Sequence, residues 1–112
     1  MVKVIGLVKK RPDMTHEQFR DYWLNTHSRL EKESLRVNPI RRIVANFFTE
    51  NLVDQAPFDG MVELYFDDID QMRKQWSSGH DDVMKNDEAN FCDPSYRILF
   101  LVDEVEIGTR IG

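Results

Sequence analysis

The chain has 112 residues, enough for one domain and too few for two separate cores, and a domain this small gains from a second copy to pack against. With 20 acidic against 15 basic residues the formal charge is −5, and Lys9-Lys10-Arg11 is the one basic triplet, so nucleic acid is not an expected partner. Cys92 stands alone, which excludes an internal disulfide and a cysteine-rich zinc site and makes a reducing cytoplasm the expected home.

In chain order, Val2–Lys9 reads as a β-branched strand with apolar residues on both sides, ended by Pro12-Asp13. Met1 leads straight into it without a signal-peptide pattern. The apolar runs Val4–Val8 and Ile98–Val102 are far too short to cross a bilayer, so no membrane association is expected. Thr15 is placed to cap a helix, with Gln18 three residues on completing a capping box. Phe19, Tyr22, Trp23, Thr26 and Leu30 follow at helical spacing, and Arg36–Pro39 closes the helix.

Arg41–Phe48 is a second strand. A polar loop and Asp59-Gly60 lead into a third, Met61–Phe66. Asp67, Asp68 and Asp70 suit the start of the next helix, whose apolar stripe is Ile69, Met72 and Trp76 and which Ser77-Ser78-Gly79 breaks. His80–Phe91 reads as a further short helical piece of weak periodicity, Asp93-Pro94 as a turn, and Tyr96–Val105 as the fourth strand. The order is βαββαβ: an α+β, ferredoxin-like plan with a four-stranded antiparallel sheet. A sheet with helices on one face should be polar on the other. Here Ile5 and Leu7 oppose Val4 and Val8, and Ile98, Phe100 and Val102 oppose Leu99 and Leu101, so both faces want burial. Two such sheets stacked face to face satisfy this, and the expected assembly is a homodimer forming an α/β barrel.

The stretch Met14–Leu30, with a capped start, Glu17-Gln18-Phe19, Tyr22-Trp23 and His27 four residues after the tryptophan, resembles the signature of the EthD family. Asp59–Asp68 is similar to that family's third strand and Asn90–Pro94 to its entry into strand four, so the resemblance covers nearly the whole chain. Met14–Arg20 is also similar to a run in methylmuconolactone methylisomerase, whose catalytic histidine falls near Thr26–His27. The resemblance implies a single dimeric α/β-barrel domain, in a superfamily that includes antibiotic-biosynthesis monooxygenases and polyketide cyclases. It also implies chemistry on small cyclic or aromatic compounds without cofactors.

Among the residues themselves His27 is the leading catalytic candidate. On a regular helical wheel it sits at the edge of the apolar arc, where an imidazole can reach a half-buried cavity and transfer protons near neutrality. Glu31, one turn on, is placed to orient it; the alternative is a histidine bonding a backbone carbonyl. Glu63, a carboxylate among strand residues, is the second catalytic candidate, with a salt bridge across the sheet as its structural alternative. Asn46 and Tyr65 are candidate substrate-binding groups, and so are Tyr22 and Trp23, although those two equally fit core packing. His16 lies about 16 Å from His27 along one helix, too far for a direct pair. His80, Asp81, Asp82, Asp87 and Asp93 lack the spacing of a metal triad, and there is no Gly-rich phosphate loop, so neither metal nor cofactor is expected.

Three functions compete: a cofactor-independent isomerase, lyase or cyclase working by proton transfer at His27; an accessory or ligand-sequestering protein of an oxidative degradation pathway; and a cofactor-free monooxygenase. A cavity holding His27 and a second polar group favours the first, and one filled by its own aromatics the second.

Overall fold

The computed structural model describes residues 2–112; Met1 lies outside the described residues. β1 (Val2–Val8) is central, with β3 (Gly60–Phe66) on one side and β4 (Ile98–Asp103) on the other, and β2 (Arg42–Phe47) completes the order β2-β3-β1-β4. Every pairing is antiparallel, and the register sets Ile5 opposite both Glu63 and Phe100. With the helices in sequence between the strands, this is the ferredoxin-like βαββαβ topology expected above.

Period-two alternation sorts the sheet into two faces. Val4, Val8, Ile43, Phe47, Val62, Leu64, Phe66 and Leu99 face the helices and build two buried clusters. One surrounds Phe19, Trp23, Phe91, Val8 and Cys92, and the other Val4, Ile40 and Phe66. The opposite face carries Ile5, Leu7, Val44, Met61, Ile98 and Phe100, with Phe100 48% exposed. Among the described residues no element covers it.

The first helical stretch is α1 (His16–Tyr22), one π-helical turn (Trp23–His27) and α2 (Ser28–Val37), without a break in right-handed backbone. Its start is the capping box: Thr15 Oγ1 accepts from the Gln18 backbone N–H at 3.1 Å, and Gln18 Oε1 accepts from the Thr15 N–H at 2.9 Å. The turn is wide because the Ser28 N–H reaches back to the Trp23 carbonyl, five residues away. α3 (Ile69–Ser77) is capped by Asp68 and ends at Gly79, whose φ of +80° only glycine adopts without strain; α4 (His80–Glu88) follows at once.

Strand four is shorter than the expected Tyr96–Val105. The Asp93 side chain accepts from the Ser95 N–H at 3.0 Å and holds Pro94–Tyr96 in a 3-10 turn, which delays the strand to Ile98. Among the described residues no helix is long and apolar enough to cross a membrane.

Candidate functional site

The π turn decides where the site lies. In a regular helix residues advance about 100° each, which carries His27 and Glu31 steadily away from the Phe19–Trp23 stripe. The wider turn spends an extra residue and brings the stripe back, so the buried residues run Phe19, Trp23, His27, Glu31, Ser34 while Thr26 is exposed. The placement of His27 at the edge of the arc is thereby corrected: it is 4% exposed, at the centre of the buried face.

Gly60 makes room for this face. A Cβ there would meet Trp23 Cζ3 and the Asn46 carbonyl oxygen at 3.1 Å, so the indole lies directly on the strand. Phe91 closes the other side, its ring centroid 4.9 Å from His27, 5.0 Å from Tyr22 and 5.9 Å from Trp23.

His27 is held by a partner from α4. Its Nδ1 is 2.7 Å from Asp87 Oδ2, and the same carboxylate accepts from the Tyr22 hydroxyl at 2.8 Å and the Asn90 amide at 3.1 Å. Burial pushes the Asp87 carboxyl up, but these three donors outweigh it and leave it below its ordinary value. A charged Asp87 fixes the Nδ1–H tautomer, which leaves the Nε2 lone pair basic and without a hydrogen-bond partner among the described residues. Burial lowers the imidazole pKa against the opposing pull of Asp87, so His27 is neutral near pH 7.

His27 lines a cavity of about 60 Å³ in the seam between the two core clusters, under α2, α3 and α4. Its walls are mostly apolar (Trp23, Ile40, Ile43, Val62, Trp76, Met84, Phe91), with Glu31, Ser34, Gln75, His80, Glu88 and Arg97 set among them. Glu31 does not orient His27. It accepts instead from the Trp23 indole N–H at 3.1 Å. Burial, joined by the nearby Glu88 charge, pushes its carboxyl up to about 7 against the lowering effect of that N–H. Glu88 is raised by the same desolvation, although Arg97 opposes it. Arg97 is committed to Asp81 at 2.8 Å and Glu88 at 3.3 Å.

The remaining predicted residues lie on the other side of the sheet. Glu63 accepts from Lys3 Nζ at 2.7 Å, Asn46 Nδ2 at 3.0 Å and the Tyr65 hydroxyl at 3.2 Å. Lys3 first, then Asn46, holds the Glu63 carboxyl below its ordinary range. The structure thus brings His27, Tyr22 and Trp23 together and, separately, Glu63, Asn46 and Tyr65, with the sheet between the two groups. Sequence reasoning missed Asp87 as a partner for His27, and Lys3 for Glu63. Both pairings span 60 positions, and Asp87 sits on the weakly periodic α4 where no spacing rule points to it.

The EthD domain model matches residues 11–95. An EthD-family protein from Bacillus halodurans is similar at 21% identity and a TM-score of 0.73, covering 94% of this chain and 99% of that one. The Arabidopsis thaliana protein At3g17210 superposes with a TM-score of 0.73 at 7% identity, over 97% of this chain and all of its own. A Bacteroides fragilis protein described as dimeric and ferredoxin-like gives 0.65 at 17% identity, over 92% of this chain and 95% of its own. At these identities the likeness establishes the fold. No curated protein matches the chain, so the expected similarity to methylmuconolactone methylisomerase is not shown by any of these comparisons.

Proposed function

The chain belongs to the EthD family, and on that premise we propose that it is a cofactor-independent enzyme that isomerises a small cyclic or aromatic metabolite by proton transfer. The observation that carries this reading is the Asp87–His27 pair, which leaves Nε2 without a hydrogen-bond partner among the described residues on a histidine that lines an apolar cavity together with Glu31. His27 Nε2 takes a proton from a carbon next to a carbonyl, and Asp87 balances the charge of the imidazolium. Glu31, which burial keeps protonated up to about pH 7, delivers a proton to another atom of the conjugated system. Two groups in one cavity with pKa values displaced in opposite directions make an acid and a base. The substrate gains one proton and loses one, so the step is redox-neutral.

The pH dependence tests this. The rate, followed as C–H exchange in D2O on a panel of small cyclic enones and butenolides, should rise as His27 loses its proton below its ordinary 6.5 and fall as Glu31 ionises near 7. Glu31→Gln should abolish the alkaline limb and lower the rate. The same variant has a stability signature. The folded Glu31 binds protons more tightly than the unfolded one, whose value is 4.5, so its contribution to wild-type stability falls as pH rises from about 4.5 to about 7. Glu31→Gln should lack that fall and, in denaturant titrations above pH 7, gain about 1–3 kcal/mol over wild type. An alkaline limb surviving in the variant would remove Glu31 from the mechanism.

The same reading includes a homodimer, carried by the uncovered face of Ile5, Leu7, Met61 and Phe100. Stacked on a second copy, this face would also enclose the Lys3–Glu63 pair, already only 10% and 13% exposed at its side chains. Sedimentation at micromolar concentration should give about twice the chain mass of 13.3 kDa. A well-folded 13.3 kDa monomer there would sink the barrel assembly.

A further inference from the structure

Two buried polar atoms on residues that line the cavity have no partner among the described residues: Gln75 Oε1, from a side chain on a residue 5% exposed, and His80 Nε2. They come from the end of α3 and the start of α4, either side of the Gly79 turn, whereas His27 enters from the π turn. The Gln75 amide is oriented by its other end, where Nε2 donates to Ser34 Oγ at 3.3 Å, and the Asn38 amide donates to the same oxygen at 3.3 Å. The carbonyl oxygen is thereby left as a buried acceptor without a donor, on a residue of the cavity wall. Buried polar atoms without partners are costly, and a fold that keeps two of them on residues of one apolar cavity wall gains when something supplies the missing bonds.

The charges restrict what that is. Glu31, Glu88 and Asp81 line the cavity against Arg97 alone, and Arg97 is already bonded to two of these acids. A carboxylate or phosphate would meet acidic groups with no free cation. A cationic amine would find Asp81 and Glu88 already paired with Arg97 and the Glu31 carboxyl pushed towards its neutral form by burial, with a mostly apolar wall around it. A neutral hydroxyl fits, because it donates to Gln75 Oε1, while a second ring oxygen can accept from His80 Nε2–H.

We propose that Gln75 and His80 form a hydroxyl-recognition subsite, and that the ligand is a neutral ring compound bearing a hydroxyl and a second oxygen. The inference rests on the reading of this cavity as the substrate site, but it concerns binding and not proton transfer. The ring enters by displacing flexible lining, Met84 foremost, because 60 Å³ holds only a few waters.

Equilibrium binding of resorcinol and of the near-isosteric 1,3-difluorobenzene tests it without any turnover. Wild type should prefer resorcinol by at least about tenfold, and Gln75→Met, which keeps the shape and removes the acceptor, should cut that preference several-fold. In the wild type the His80 imidazole 15N resonances should move on adding resorcinol and stay in place with 1,3-difluorobenzene, a result that does not depend on the variant folding. Equal affinity for the two probes, no binding of either at millimolar concentration, or an unaltered preference in Gln75→Met would overturn the subsite. Retained preference in a His27→Gln protein, with or without loss of exchange, keeps the subsite and judges the catalytic reading separately.

Discussion

His27→Gln should lower the exchange rate by roughly 10²–10⁴-fold with a much smaller change in binding, because glutamine fills the site and hydrogen-bonds but transfers no proton near neutrality. Asp87→Asn should lose at least about 10²-fold by a different route. The imidazole stays, but the charge that fixes Nδ1–H and steadies the imidazolium is gone. The two losses should not multiply in the double variant, since both act through one imidazole. Glutamine is a better test than alanine here. With His27 4% exposed and packed on Phe91, His27→Ala opens a hole and takes one of three donors from Asp87, at about 2–4 kcal/mol of stability. Activity above a tenth of wild type in His27→Gln would make the residue structural and leave the cavity without its base.

Phe91→Ala should be the most damaging packing change, at about 3–5 kcal/mol in a denaturant titration. The ring is 1% exposed, and besides His27, Tyr22 and Trp23 it meets Phe19 at a centroid distance of 5.7 Å. Removing it takes the common neighbour from four rings, and His27 loses the surface that holds it against Asp87. A fall in Tm of some 15–25 °C is the corresponding expectation for a domain near this size. Phe91→Leu should recover most of the stability and little of the activity, because leucine refills volume without the flat surface. Loss below about 1 kcal/mol in Phe91→Ala would show that the cluster closes over the gap and that the ring is not the keystone of the site.

The fold was legible because its signals are local. Thr15 and Gln18 announce a helix start, Gly79 its later break, and alternation in Val2–Val8 and Met61–Phe66 fixes which side chains share a face. The apolar residues on both faces of the strands likewise anticipated the uncovered side of the sheet. The site was half legible. His27, Tyr22 and Trp23 do meet, but a wheel drawn at constant pitch placed His27 at the rim, because a π turn leaves no mark in composition. Asn46 bonds β3 through Glu63 and the Met61 carbonyl at 3.4 Å, pairings that no local spacing announces. Asp87, Gln75 and His80 were beyond reach for a common reason. What they face is set by atoms brought together across the layers, and for Asp87 and His80 the short polar α4 adds no periodicity from which to infer it.

The wide turn at Trp23–His27 also changes what counts as the equivalent residue in another protein of this architecture. It inserts one position into an otherwise regular helix, so everything before it and everything after it obey different counting rules. A relative that keeps constant pitch through this stretch presents, at the same point in space, the residue one place earlier in its own numbering. Matching letters there would set its buried group against the exposed Thr26 or the buried His27 according to where a single gap is drawn. Ancestry can therefore be traced by sequence through this helix, but correspondence of chemistry has to be read from superposed coordinates.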